Sequence, residues 1–152
     1  MTLDALLRRS AEAAPDAIAL IEADRTTTYG ALDDLASRCA RGLRARGVAP
    51  GDRVLLALEN SALAAGIYFG VMRSGAIAVP VLAGRRSDRL PAVVSDCAPR
   101  LAIVDESTAQ GVETERALTE VPDRLVLGGE WPSAFAAGPS EPPSRDPEAL
   151  AA

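Results

Sequence analysis

The sequence predicts an α/β protein with a mainly parallel sheet and helices on both faces. Two unbroken apolar runs of strand length, Val54 to Leu58 and Ala76 to Val81, read as strands covered on both sides. Amphipathic helical segments separate such runs, and glycine or proline marks nearly every junction. Strands that alternate with helices imply βαβ units with right-handed crossovers.

The elements follow in order. Thr2 can cap a first helix in which Leu3, Leu6, Leu7, Ala11 and Ala14 recur at helical spacing, and Pro15 stops it. Ile18 to Ile21 reads as a strand, residues 23–25 as a tight turn, and the β-branched run Thr26 to Thr28 with Tyr29 as the returning strand of a short hairpin. From Ala31 to Arg46 the set Leu32, Leu35, Ala36, Cys39 and Leu43 forms one apolar stripe, with Asp33, Asp34, Arg38, Arg41 and Arg44 expected on solvated faces. Gly47 supplies a left-handed stop, and Pro50, Gly51 and Asp52 turn the chain into the strand at Val54.

Asn60 or Ser61 can cap a helix over Ala62 to Ser74 that is apolar nearly all round, which predicts deep burial. Ala64, Ala65, Gly66 and Gly70 would permit close packing there, and Gly75 ends the helix. Pro80 marks the end of the strand that follows, because proline cannot donate to a ladder. Asp88 to Cys97 reads as a weaker helix interrupted near its start by Pro91, then Leu101 to Val104 as a strand, Val112 to Glu120 as a helix and Arg124 to Leu127 as a strand. From Pro132 onward four further prolines sit among Ser, Ala and Gly, so 1–131 is expected to fold and 132–152 to act as a linker without its own core. There is no repeat at fixed spacing.

Composition excludes several function classes. A length of 152 residues at 48% hydrophobic and 24% charged supports one domain with a real core. The net charge of -5, with every positive charge on arginine, argues against a nucleic-acid partner. Neither lysine nor histidine occurs in the sequence. Without histidine, Ser-His-Asp and Cys-His nucleophilic schemes are unavailable and a general base would have to be a carboxylate. Zinc would lack its usual ligands, since only Cys39 and Cys97 are present. Those two are expected as reduced, buried thiols of a cytoplasmic protein. The stretch Ser61 to Met72 falls short of the roughly 18 to 20 residues that span a bilayer, so no membrane anchor is expected.

Taken together and in order, the short motifs resemble those of a known family. Thr28-Tyr29-Gly30-Ala31-Leu32 is similar to a Thr-Tyr-x-x-Leu helix start, and Gly47-Val48 with Pro50-Gly51-Asp52-Arg53-Val54 is similar to a Gly-Val-x-Pro-Gly-Asp-x-Val turn. Asn60-Ser61 opens the next helix, and Arg73-Ser74-Gly75-Ala76 with Ala78-Val79-Pro80 resembles a Lys-Ala-Gly-Ala-x-x-Val-Pro segment. From about Leu3 to Val104 the chain thus resembles the N-terminal part of the adenylate-forming superfamily, which holds acyl- and aryl-CoA synthetases, nonribosomal peptide synthetase adenylation domains and luciferases. Gly51-Asp52-Arg53-Val54, Glu59-Asn60-Ser61 and Ala78 lean toward the CoA synthetases. One departure follows Pro80, where Val81-Leu82-Ala83-Gly84 replaces the family's usual Leu, Asn or Asp, and Pro.

The resemblance implies an N-terminal fragment or split subunit of an ATP-dependent acid–CoA ligase. ATP, magnesium and CoA are implied for the complete enzyme and none for this chain, because the family's Ser/Thr/Gly-rich phosphate loop, later Tyr-Gly-x-Thr-Glu segment, ribose-binding aspartate and catalytic lysine have no counterpart here. The implied partner is the remainder of the ligase, in the same gene or a complementary chain. No catalytic, cofactor-binding or metal residue is assigned.

Arg85, Arg86 and Arg89 could meet a phosphate beyond a strand end, with an exposed loop as the plainer reading. The adjacent pairs Asp33–Asp34 and Asp105–Glu106 read as solvent-facing charges, Gly128–Gly129 as a turn, and Tyr29 and Gly75 to Pro80 as scaffold. Three other functions stay open: an adenylation-domain piece of a nonribosomal peptide synthetase, as the resemblance also allows, a non-catalytic module that binds a protein partner through an uncovered apolar sheet, and a flavodoxin-like mononucleotide binder.

Overall fold

The computed structural model describes residues 2–23, 25–81 and 89–128, and local capping chemistry accounts for most of its element boundaries. The Thr2 hydroxyl accepts from the Ala5 N–H and opens α1, Leu3–Ala13. β1, Ile18–Glu22, and β2, Arg25–Thr28, pair antiparallel as the expected hairpin. The Thr28 hydroxyl then accepts from the Ala31 N–H, so α2, Tyr29–Ala45, begins inside what the β-branched run suggested was strand. A threonine that ends a strand and caps a helix serves both elements, and Tyr29 belongs to the second.

β3, Arg53–Ala57, leads to α3, Ala62–Ser74, where Ser61 rather than Asn60 is the cap, its hydroxyl accepting from Ala64 N–H at 3.0 Å. Gly47 and Gly75 take φ of +79° and +91°, the left-handed stops that a Cβ would disfavour. β4 spans Ile77–Pro80 and α4 spans Leu90–Cys97. Pro91 lies in the first turn of α4, where a missing N–H breaks no helical bond, so it starts the helix instead of interrupting it. β5, Leu101–Asp105, runs into a one-turn helix α5, Glu106–Ala109, too short to give a periodic signal and absent from the sequence expectation. α6, Val112–Leu118, and β6, Asp123–Leu127, complete the described chain. The linker expected over 132–152 lies outside the described residues.

The four later strands form one parallel sheet in the order β4-β3-β5-β6. Side chains alternate across it: Val54, Leu56, Leu101 and Ile103 join Leu43, Ile67 and Val71 on the α2–α3 side. Leu55, Ala57, Ala102 and Val104 join Leu90, Val94 and Leu118 on the α4–α6 side. Both faces of β3 and β5 are therefore covered, whereas Ile77 of β4 and Val126 of β6 stay exposed at the edges of the sheet. Cys39 is buried as expected, but Cys97 is only half-buried; both are free thiols. Among the described residues, no helix is long and apolar enough to cross a membrane.

Two features bind the helical layer. Gly66, Gly70 and Arg73 recur at i, i+4 and i+7, so they share one face of α3. A Cβ at Gly66 would stand 2.8 Å from Leu35 Cβ, and one at Gly70 would stand 2.8 Å from Cys39 Sγ and 2.9 Å from the Ala36 carbonyl. Backbone proximity of that order is open only to glycine. Below it, the Arg73 guanidinium, 5% exposed, donates to Asp4 Oδ1 at 2.8 Å, to Asp33 Oδ1 at 2.5 Å, to the Asp33 carbonyl at 2.9 Å and to Ser37 Oγ at 2.6 Å. Burial disfavours the charge, but the bonds to Asp33 and Asp4 outweigh it and hold the guanidinium more basic than usual. Asp33 was expected at a solvated face; it is half-buried on Arg73, while only Asp34 makes an exposed pair, with Arg38.

Removing one partner from a buried ion cluster leaves the others charged and unpaired. Arg73→Met is expected to lower the unfolding free energy by about 3–5 kcal/mol, against about 0–1 kcal/mol for Arg38→Ala at the exposed pair, both read by urea denaturation. Gly70→Ala is expected to lose about 1–3 kcal/mol by overpacking, although alanine is the better helix former, with thermal unfolding as the check.

Candidate functional site

Strand order decides where a ligand could sit. The chain leaves β3 for β4 on one side and returns to β5 on the other, so β3 and β5 flank a topological switch point. In open α/β sheets the loops diverge there and leave a crevice beyond the carboxyl ends of the strands. Two adjoining clefts occupy that place, of about 720 and 890 Å³, and share Glu22, Leu58, Asn60 and Ser61 in their walls. The hairpin β1–β2 forms one wall and the N-terminal turn of α3 the other.

The smaller cleft is apolar, lined by Leu20, Ile21, Tyr68, Phe69 and Val81 among others. Tyr68 and Phe69 meet edge to face with ring centres 6.1 Å apart, which fixes the aromatic floor. The larger one carries Glu22, Glu59, Asp105 and Glu106 against one described arginine, Arg25.

Asp105 organises the acidic side. Its Oδ2 accepts from the Glu59 N–H at 2.8 Å, joining the ends of β3 and β5, while Oδ1 accepts from the Thr108 N–H at 2.8 Å and the Ser107 hydroxyl at 2.9 Å. Ser107 Oγ also lies 3.2 Å from Glu59 Oε1. Burial opposes ionisation, but bonds from Thr108, Glu59 and Ser107 together hold the Asp105 carboxyl below its ordinary range. Asp105 therefore acts as the cap of α5 and as a clamp between strands, a different role from the solvated charge that its neighbour Glu106 suggested.

This wall does not fit a nucleoside triphosphate. Among the described residues, four carboxylates against one arginine give this wall the sign that repels phosphate, and transferring a phosphoryl group requires fixed cations and donors. An added Cβ at Gly128 would meet Glu106 Oε1 at 3.0 Å, so that glycine packs on a carboxylate and leaves no room for an anion. Among the described residues, no group of three or more His, Cys, Asp or Glu could hold a metal ion.

The remaining candidates are dispersed. Arg89 is the exposed residue that precedes α4, and Arg85, Arg86 and Gly129 lie outside the described residues. Tyr29 packs against the cluster of Leu7, Leu32 and Ala36. Cys39 donates to the Ile67 carbonyl at 3.8 Å and burial pushes its thiol far up, so it is no nucleophile at neutral pH. Sequence reasoning missed the Arg73 cluster, whose signal was present: Arg73 is the only charged residue in the otherwise apolar α3.

Residues 7–152 match the family described as AMP-binding enzyme. The long-chain-fatty-acid–CoA ligase FadD13 of Mycobacterium tuberculosis is 32% identical over 123 residues, covering 80% of this chain and 24% of that protein. A salicyl-AMP ligase / salicyl-S-ArCP synthetase of the same organism is 42% identical over 94 residues, 59% of this chain and 17% of that protein. The apo structure of MbtA from Mycobacterium smegmatis superposes with a TM-score of 0.79 at 36% identity, over 97% of this chain and 29% of that one. The chain thus spans less than a third of each of these relatives.

Because Asp105 is more acidic folded than unfolded, its stabilising contribution is full above the ordinary value of 3.8 and disappears as pH falls through the lowered folded value. Asp105→Ala is expected to cost about 0.5–2 kcal/mol at neutral pH, and the gap to the parent should close below pH 3.8 in denaturation curves taken across the acid range.

Proposed function

The chain belongs to the AMP-binding enzyme family, and from that premise we propose that it is the N-terminal scaffold of an ATP-dependent acyl- or aryl-acid ligase. In the complete reaction a carboxylate oxygen bonds to the α-phosphorus of ATP and pyrophosphate leaves; a thiol, that of CoA, then attacks the acyl carbon and AMP leaves. The observation that carries the reading is the ordered motif series from Leu3 to Val104, supported by a family match that runs almost the whole chain.

This chain's share is mechanical. β3 and β5 hold the switch point, Asp105 clamps their ends, and the glycine face of α3 seats that helix on α2. ATP, magnesium and CoA would be gripped by the remainder of the ligase, whether in the same gene or a complementary chain, because this sequence has no lysine and no counterpart of the family's glycine-rich phosphate loop. Cytoplasm is the proposed setting, since both co-substrates reside there.

A second acceptor is favoured by one observation. The relative at 42% identity is named for a thioester on ArCP instead of CoA, so a carrier thiol is the runner-up acceptor.

Loss of even one preorganised donor costs about 10²–10³ in turnover, so a chain without the phosphate-gripping set should stay at background. Purified on its own it is expected to give no ATP–pyrophosphate exchange, and exchange is expected to appear when the chain is joined to the complementary part of the ligase. Exchange by the chain alone would overturn the reading.

A further inference from the structure

Helix α1 is fastened to its neighbours at few points. Of its 11 residues only Asp4 and Leu7 are buried, while Leu3 and Leu6 face solvent. The Arg73 Nε donates to Asp4 Oδ1 at 2.8 Å, and a second guanidinium nitrogen lies 2.8 Å from the same oxygen. The other bonds of that guanidinium, to the Asp33 carboxylate, the Asp33 carbonyl and the Ser37 hydroxyl, all go to α2. When Asp4 departs, Arg73 keeps Asp33 as its buried counter-charge. Loss of the α2 partners would strand a charge, whereas loss of α1 does not.

The backbone marks where such a departure stops. The Pro15 carbonyl accepts from the Gly30 N–H at 2.9 Å and the Ala17 carbonyl from the Tyr29 N–H at 3.0 Å, so the approach to β1 is tied to the first turn of α2. A Cβ at Gly30 would stand 3.1 Å from the Pro15 oxygen, which shows how closely the two segments meet. Ahead of that tie, Leu7 packs in one cluster with Leu32 and Ala36 of α2. Leu20, Ala65 and Phe69, which line the apolar cleft, pack against the same cluster. A helix of 11 residues is marginal in water by itself, so α1 unravels once it leaves. We propose that α1 is a latched lid: it opens as a unit ahead of Pro15, is held shut by Asp4 on Arg73, and on opening uncovers an apolar seat on α2 that is continuous with the cleft beside α3. Opening of one element below the free energy of global unfolding is the general behaviour of parts that bury few apolar groups. The inference stands on contacts within α1, α2 and α3, so it survives or fails independently of the ligase reading.

Native-state hydrogen exchange of the intact 152-residue chain, read by mass spectrometry, tests the latch. Amides of α1 are expected to exchange about tenfold or more faster than those of α2 and α3, through an opening that urea below the unfolding transition scarcely accelerates, because little surface is exposed. Asp4→Asn should speed α1 by about a further tenfold while α2, α3 and β5 keep the parent rates; Leu7→Ala, which removes the one buried apolar contact of α1, takes its place if that variant does not fold. Asp34→Asn, at the exposed pair with Arg38, should change nothing. Anilinonaphthalene sulfonate, a probe of apolar surface, should brighten several-fold with Asp4→Asn and stay at the parent level with Asp34→Asn. Exchange in α1 no faster than in α2 and α3, or acceleration of all three helices alike by Asp4→Asn, would overturn the latch. Probe emission equal in Asp4→Asn and the parent would overturn the uncovered seat.

Discussion

The Arg73 guanidinium is the interaction on which the helical layer depends. A charge placed where only a twentieth of its surface meets solvent is tolerable only if its donors are matched, and here α1 supplies Asp4 while α2 supplies Asp33 and Ser37. Three helices distant in sequence thus become parts of one arrangement. The Arg44 side chain adds a bond from α2 to the Arg73 carbonyl at 2.8 Å, which satisfies one of the free acceptors at the end of α3. Dispersion and hydrophobic burial alone would let α1 slide on its neighbours; a directional ion cluster fixes its position.

That arrangement reaches the crevice through α3. The face that carries Arg73 also carries Gly66 and Gly70, so the helix is held against α2 along its length and its first turn is delivered to the carboxyl end of β3. At the far edge of the sheet Arg46, which follows α2, pairs with Asp123 at 2.8 Å and ties the helical layer to the start of β6. The sheet is consequently gripped from α2 at one end and clamped by Asp105 at the other. Both sides of the switch point are thereby held in place.

Charge divides the labour. Among the described residues the crevice wall beside Asp105 is acidic, the sign that repels a triphosphate. The smaller cleft is instead lined mainly by apolar side chains.

Much of this was legible in the residues. Capping and stopping are local: Thr2, Thr28 and Ser61 accept from N–H groups three residues on, and Gly47 and Gly75 take a backbone that other residues avoid, so element order and the α/β class follow from short windows. The motif order, also local, identified the family. What the windows could not reveal was pairing across long separations. Arg73 finds Asp4 and Asp33 at 69 and 40 residues away, and Asp105 finds Glu59 at 46. Each carboxylate looks like a solvated charge when read beside its neighbours, because hydrogen-bond partners are chosen by distance in space, and only the packed sheet and helices bring those groups within 3 Å.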